Sequence, residues 1–209
     1  MMRGTRRRGV SRSVVSRVEP RSFEGVVYRV IGSRFSTSPP ASAGSKVRGG
    51  RFNPAGEFEV LYTALSADTA FAEREGFLLT AAGIKATRAI RTGVLLKISC
   101  AFGAVLDLTD EGIRQRLDVG LADILGPWLP WSVAEPDESY GRSRGVAPSH
   151  AIGRAAHGSR RFEAVLFPSA KDPAGRCLAI FPDRLRAASS VVVDDPEGTI
   201  RGTLGLKTP

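Results

Sequence analysis

Thirty residues, from Lys46 to Glu75 (K-V-R-G-G-R-F-N-P-A-G-E-F-E-V-L-Y-T-A-L-S-A-D-T-A-F-A-E-R-E), bring together three groups with complementary chemistry. Arg51 follows Gly49 and Gly50. Glycines let a backbone approach a ligand and present its N–H groups, and a guanidinium beside them offers a two-pronged donor suited to phosphate. Tyr62 lies in a short apolar run, where its ring can pack or can stack on a flat ligand ring. Glu73 and Glu75 follow on a helical pattern about 200° apart, so only one of them can face a site on the buried side. Ala70, Phe71 and Phe77 mark that side and select Glu73, while Glu75 points away. An acid on an apolar helix face suits a developing positive charge.

Other residues contribute more weakly. Arg29, opposite Tyr28 on an alternating run, belongs either to a solvent face or to a cleft, since charge is seldom buried unpaired. Ser169 in F-P-S-A-K ends a β-like run and can hydrogen-bond a ligand phosphate or hydroxyl. His150 and His157 have no acid at a supporting spacing, and no Cys/His pattern with metal-ligand spacing occurs. Arg51 keeps two competing readings, a loop arginine paired with a surface acid and an RNA contact of the R-G-G kind. The motif occurs once and runs straight into a strand pattern, which counts against an RNA-binding repeat.

The elements that must position these groups form an α+β pattern. Gly25–Ile31, Glu59–Leu65, Gly93–Cys100, Ala104–Leu108, Glu163–Phe167, Cys177–Pro182 and Ser190–Val193 read as strands. Helices are expected from a Ser66 cap through Thr80, after a Thr109 cap, and over Ser149–His157. Residues 32–50 form a long Ser-, Gly- and Pro-rich loop, and 126–140 an irregular aromatic segment. The expected architecture is one domain with a twisted mixed or antiparallel sheet.

Composition narrows the class. A chain of 209 residues with 42% apolar content is long enough for a full core. No apolar run reaches the eighteen or so residues of a membrane helix. The only two cysteines, Cys100 and Cys177, lie in apolar runs and read as buried free thiols of a reducing compartment, the cytoplasm. The net charge is +9, but seven arginines against Glu19 in the first 21 residues supply +6 of it. The body is therefore close to neutral, a poor footprint for direct nucleic-acid binding. Residues 1–22 read as a basic, disordered arm or an over-extended start, with nucleic-acid contact or targeting as alternatives. The folded domain is expected over 23–209.

The motifs, taken in order, resemble the RES-domain family of bacterial toxin–antitoxin toxins. They are V-Y-R-V, G-G-R-F-N-P-A-G, V-L-Y-T-A-L, A-F-A-E, A-I-G-R-A-A, E-A-V-L-F-P-S-A-K and C-L-A-I-F, covering roughly residues 25–185. Phe52 stands where that family usually has tryptophan. The resemblance implies a fold similar to ADP-ribosyltransferases of the diphtheria-toxin type, and consumption of NAD+ as substrate with no further cofactor. Its reaction is cleavage of the nicotinamide–ribose bond, to water or phosphate or, alternatively, to a protein side chain. It implies catalytic roles for Glu73 and Arg29, with Arg51 and Arg29 gripping the pyrophosphate, Ser169 assisting and Tyr62 stacking on nicotinamide. Gly50 and Tyr28 join the NAD-binding set. The implied partner is an Xre-type helix-turn-helix antitoxin, through which any nucleic-acid contact would run, in a complex that allows a homodimer.

Overall fold

The computed structural model describes residues 10–32, 42–82, 93–128 and 146–194. Its elements, in chain order, are α1 (Arg12–Val15), β1 (Arg21–Gly32), α2 (Ala43–Arg48), β2 (Leu61–Ala64), α3 (Ala67–Ala82) and β3 (Gly93–Asp107). Then come α4 (Glu111–Leu117), α5 (Leu121–Leu125), α6 (Pro148–Ser159), β4 (Ala164–Pro168), β5 (Arg176–Ile180), one 3₁₀ turn and β6 (Ser190–Val193). The α+β expectation holds. Among the described residues no helix is long and apolar enough to cross a membrane.

The strands lie in the order β1-β2-β5-β4-β3-β6, and β1 also pairs along its length with β3. The pairings β1–β2–β5–β4–β3–β1 therefore close on themselves. All are antiparallel except β3 with β4, so the sheet is mixed. Alternation along the strands divides the apolar residues into two clusters. Val27, Leu61, Leu96, Ile98, Cys100, Leu178 and Ile180 fill one side. Phe52, Val60, Ala64, Val165, Phe167, Ala179 and Phe181 face the other, where the helices cover them. Tyr28, Val30 and Tyr62 pack on the helix-side cluster.

Two expectations shift for identifiable reasons. Gly93–Cys100 and Ala104–Leu108 are one strand, β3, because β1 pairs across the interval between them. Asp110, not Thr109, caps α4 by accepting the Ile113 amide at 2.9 Å, while the Thr109 hydroxyl donates to Asp107.

The larger correction concerns the N-terminus. Residues 10–22 are folded, not part of a disordered arm. Val15 and Val18 are buried in the helix-side core, α1 packs on α6, and Arg21 joins Asp107 and Asp110 at 2.8 and 2.6 Å. Three apolar residues, Val10, Val15 and Val18, outweigh the surrounding charge because they have a core to enter. Residues 1–9 and most of the irregular segment 126–140 lie outside the described residues.

A buried acid that the sequence reading placed only at the start of a strand holds the sheet in register. The β1–β3 pairing slips once, Arg21 facing Val105 and Phe23 facing Phe102, so β3 carries an extra residue. The bulge turns two successive amides, Gly103 and Ala104, onto Oε2 of Glu163 at 3.0 Å each. Oε1 accepts the Arg186 amide at 2.8 Å and the Ser189 hydroxyl. Four donors satisfy a carboxylate that is 1% exposed.

The other close joint is between α6 and the loop before β2. A Cβ on Gly153 would stand 1.7 Å from the Phe52 carbonyl oxygen, so the helix can lie this near only with glycine there. Ala stabilises an ordinary helix interior over Gly by about 1 kcal/mol. Here Gly153→Ala is expected to reverse that sign and lower the melting temperature by about 5 °C or more, measured by circular dichroism. An unchanged or higher Tm would mean that the joint is soft. Glu163→Gln sets an amide NH₂ against donors and is expected to lower unfolding free energy by about 3 kcal/mol in urea titration.

Candidate active site

The arginine loop is shaped from three sides. Gly49 takes φ +75°, and the Gly50 amide closes the turn onto the Asn53 carbonyl at 2.8 Å. From β2, the Tyr62 ring lies against Gly50 so closely that a Cβ there would come within 2.5 Å of it. The phenol accepts the Phe52 amide at 2.8 Å and donates to Asn53 Oδ1 at 2.8 Å. Asn53, fully buried, spends its own NH₂ on the Ser45 and Phe58 carbonyls. From α6, His150 bonds the Gly50 carbonyl at 2.9 Å, and because a carbonyl only accepts, Nε2 carries the proton. Burial pushes His150 below its ordinary pKa and favours that neutral form.

Arg51 is thereby aimed at α5. Its Nη1 donates to the carbonyls of Ile124 and Gly126 at 2.6 and 2.9 Å, groups left without partners where a helix ends. Burial lowers its pKa, and the nearby Glu73 is the strongest opposing influence, with Tyr62 and Cys177 behind it. The surface ion pair considered for Arg51 is not what forms. The guanidinium is half-buried, and its hydrogen bonds go to main-chain carbonyls.

Glu73 sits on α3 in the orientation that helical spacing predicts, partly buried, whereas Glu75 is exposed. Its Oε1 accepts the Ser169 hydroxyl at 2.6 Å and the Ala170 amide at 2.9 Å. Among the described residues, Oε2 has no hydrogen-bond partner. Of the residues taken to mark the buried side, Ala70 is buried but Phe71 is 40% exposed, and the Phe77 side chain lies outside the described residues.

Ser169 has a different occupation from the ligand contact expected of it. Besides donating to Glu73, its oxygen accepts the amides of Lys171 at 3.1 Å and Asp172 at 3.0 Å. One proton and two lone pairs are then all in use, so the hydroxyl serves Glu73 rather than a substrate phosphate. Tyr62 likewise has its hydroxyl committed to the loop, leaving only the ring for stacking. Burial raises the phenol's pKa and keeps it protonated. The Cys177 thiol lies beside Ser169 and Glu73 and is pushed up to about 12, chiefly by burial, which makes it a poor nucleophile.

Arg29 reaches the group through the backbone, Nη1 donating to the Tyr62 carbonyl at 2.9 Å. Burial brings its pKa down to about 10. A desolvated guanidinium gains more from an arriving anion than an exposed one does. Tyr28 is half-buried on the face of β1 opposite Arg29, the helix-side face it shares with Tyr62, and pairs with Ala64 of β2 and Lys97 of β3. Among the described residues no hydrogen bond links it to Glu73, Arg51 or Ser169.

The structure thus joins Tyr62 to the loop of Gly50 and Arg51, joins Ser169 to Glu73, and relates the two sets through the charges of Arg51 and Glu73. It adds Arg29 through the Tyr62 carbonyl and gives Tyr28 no hydrogen bond to the group among the described residues. His150, Asn53 and Cys177 were not anticipated as parts of the site. Asn53 alone carried a local signal, a polar residue beside proline in a loop that must turn. His157, expected to lack an acid, has one in Asp183 at 3.0 Å, and its ring stacks on Phe58. Among the described residues no three His, Cys, Asp or Glu side chains are placed to hold a metal ion.

The arrangement can hold an anion near two arginines and present a fixed carboxylate to a forming cation. Among solved structures, the chain is similar to the M. tuberculosis MbcT-MbcA toxin-antitoxin complex. The TM-score is 0.62 at 22% identity, covering 88% of this chain and 88% of that one, a likeness of fold. No curated protein matches the chain. The RES domain model matches residues 26–201, taking in Arg29, Arg51, Tyr62, Glu73 and Ser169 together, and the chain belongs to the RES domain family.

Proposed function

We propose that this protein is the toxin of a toxin–antitoxin pair and that it halts growth by consuming NAD+ in the cytoplasm. The observation that carries this reading is Glu73, held at Oε1 by Ser169 and Ala170, with Arg51 near enough for the two charges to influence each other. The fold likeness to a solved toxin-antitoxin complex supports the toxin role and an antitoxin as partner; that the antitoxin is of the helix-turn-helix type is what the family resemblance implies. The closed mixed sheet would then be a version of the ADP-ribosyltransferase fold.

In the proposed reaction the bond between ribose C1′ and the nicotinamide nitrogen breaks. Its electron pair goes to the ring nitrogen, which removes the pyridinium charge. The ribose becomes oxocarbenium-like, as in glycoside cleavage. Glu73 faces that charge with Oε2, and because its carboxylate is already oriented it favours the transition state more than bound substrate. Arg51 and Arg29 hold the pyrophosphate. Water or phosphate adds to C1′ and gives up a proton, yielding ADP-ribose or its 1-phosphate. A small acceptor is preferred to a protein because no protein-docking surface stands out beside the site among the described residues.

The nucleic-acid reading loses ground in the fold. Arg21 is bound to Asp107 and Asp110, and α1 belongs to the folded domain. Removing residues 1–22 would strip Val15 and Val18 from the core, so the informative truncation is residues 1–9.

Purified protein is expected to deplete NAD+ with release of nicotinamide, followed by chromatography. Glu73→Gln is expected to lower kcat by about 100-fold or more while changing KM little. Intact NAD+ with the wild-type protein would overturn the proposed reaction, and a fully active Glu73→Gln would overturn the role of the acid. Truncation of residues 1–9 is expected to leave NAD+ consumption unchanged. Salt-sensitive nucleic-acid binding that vanishes with this truncation would favour the other class.

A further inference from the structure

The carboxylate that faces the proposed reaction is only as well placed as the turn it leans on. That turn, Ser169–Gly175, joins β4 to β5. It is closed by two main-chain bonds, Ser169 N–H to the Gly175 carbonyl and Gly175 N–H to the Asp172 carbonyl, at 2.9 Å each. Its Ser169 and Ala170 hold Glu73. A second attachment to α3 lies one helical turn earlier, on the same face as Glu73. Thr69, 1% exposed, donates its hydroxyl to Asp172 Oδ2 at 2.6 Å.

Proton direction along this attachment is settled by chemistry. A carboxylate only accepts, so the Thr69 proton points to Asp172. The Ser66 hydroxyl, 2.7 Å from Thr69 Oγ1, must then donate to Thr69. The Ser66 oxygen accepts the Thr69 amide at 3.1 Å, capping α3. The chain runs from the helix cap through Thr69 to Asp172. It continues from the Asp172 amide to Ser169 and from the Ser169 hydroxyl to Glu73.

Packing leaves this arrangement little slack on one side and much on the other. A Cβ on Gly175 would lie 2.5 Å from both Thr69 Oγ1 and Asp172 Oδ2, so a side chain there would force the two apart. On the open side the turn borders a cavity of about 290 Å³, whose lining includes Leu65, Ser66, Thr69, Asp172, Ala174 and Gly175.

We propose that Thr69 and Asp172 are positioning residues for Glu73, forming a latch that locks the Ser169 turn to α3. This rests on the reading of Glu73 as the carboxylate that meets the forming cation. The latch touches neither substrate nor reacting atoms. It fixes the angle at which Oε2 is presented, so its loss acts on the chemical step more than on binding.

The test is the series Thr69→Val, Thr69→Ser and Asp172→Ala in the full chain. It reads NAD+ turnover, thermal unfolding, and hydrogen–deuterium exchange at the amides of residues 170–172. Thr69→Val and Asp172→Ala are expected to lower kcat at least tenfold with KM within twofold. Both should speed exchange at residues 170–172 while β3 and β5 stay protected. Thr69→Ser, which keeps the hydroxyl, is expected to restore kcat to within threefold of wild type. Wild-type kcat and exchange in Thr69→Val would overturn the proposal, as would equal losses in Thr69→Ser and Thr69→Val. So would losses that track a general fall in Tm. Should the wild-type protein leave NAD+ intact, the proposed reaction fails. The exchange measurement still decides the latch: faster exchange confined to residues 170–172 supports it, and unchanged exchange refutes it.

Discussion

A single phenol couples the sheet to the loop that carries the site. Tyr62 stands on β2, yet its hydroxyl spends both available bonds on the loop nine and ten residues earlier, accepting from Phe52 and donating to Asn53. Those two bonds, with the ring filling the space that Gly50 leaves, convert a glycine-rich turn from a flexible segment into a fixed one. Everything aimed by that turn depends on it. Arg51 points to the end of α5, Phe52 enters the core, and the Gly50 carbonyl meets His150. The protonated phenol is a requirement of this geometry, and burial enforces it by raising the pKa.

The charges follow from the same closeness. Two arginines are desolvated next to Tyr62, one through its backbone carbonyl and one through the loop its hydroxyl holds. Removing cations from water costs free energy that main-chain carbonyls recover in part. For Arg51 the nearby charge of Glu73 opposes part of that cost, with Tyr62 and Cys177 behind it. In the proposed reading, a pyrophosphate entering such a site would replace lost hydration rather than compete with it, favouring anions without a large net charge on the body.

What was legible in the sequence was what local geometry dictates. The two-residue spacing of Glu73 and Glu75 decided which acid faces inward, because a helix permits only one answer. Gly49 and Gly50 announced a sharp loop, and β alternation placed Tyr28 and Val30 on one face. What was not legible comes from contacts across the chain. His150 meets a carbonyl 100 residues away, and Gly153 matters only because Phe52 passes beside it. Ser169 was visible as a polar residue at a strand end, but its lone pairs are filled by amides of its own turn, which no spacing rule reveals. At the N-terminus a high density of arginine hid Val15 and Val18, because composition averages over a segment whereas burial acts on single side chains.

Glu73 and Glu163 show two uses of the same side chain in one fold. Glu163 is saturated by four donors and 1% exposed, so its charge is spent on holding the β3 bulge against the loop before β6. Glu73 takes two donors, both on Oε1, and keeps partial exposure. A carboxylate with every lone pair occupied can only be structural. One held at a single oxygen, with no hydrogen-bond partner for the other among the described residues, is oriented, the state that in the proposed reaction would favour a cation formed transiently beside it. Orientation without saturation demands support from outside the acid itself. In the proposed reading the Ser169 turn supplies that support, and the chemistry would then depend on residues that never meet the substrate.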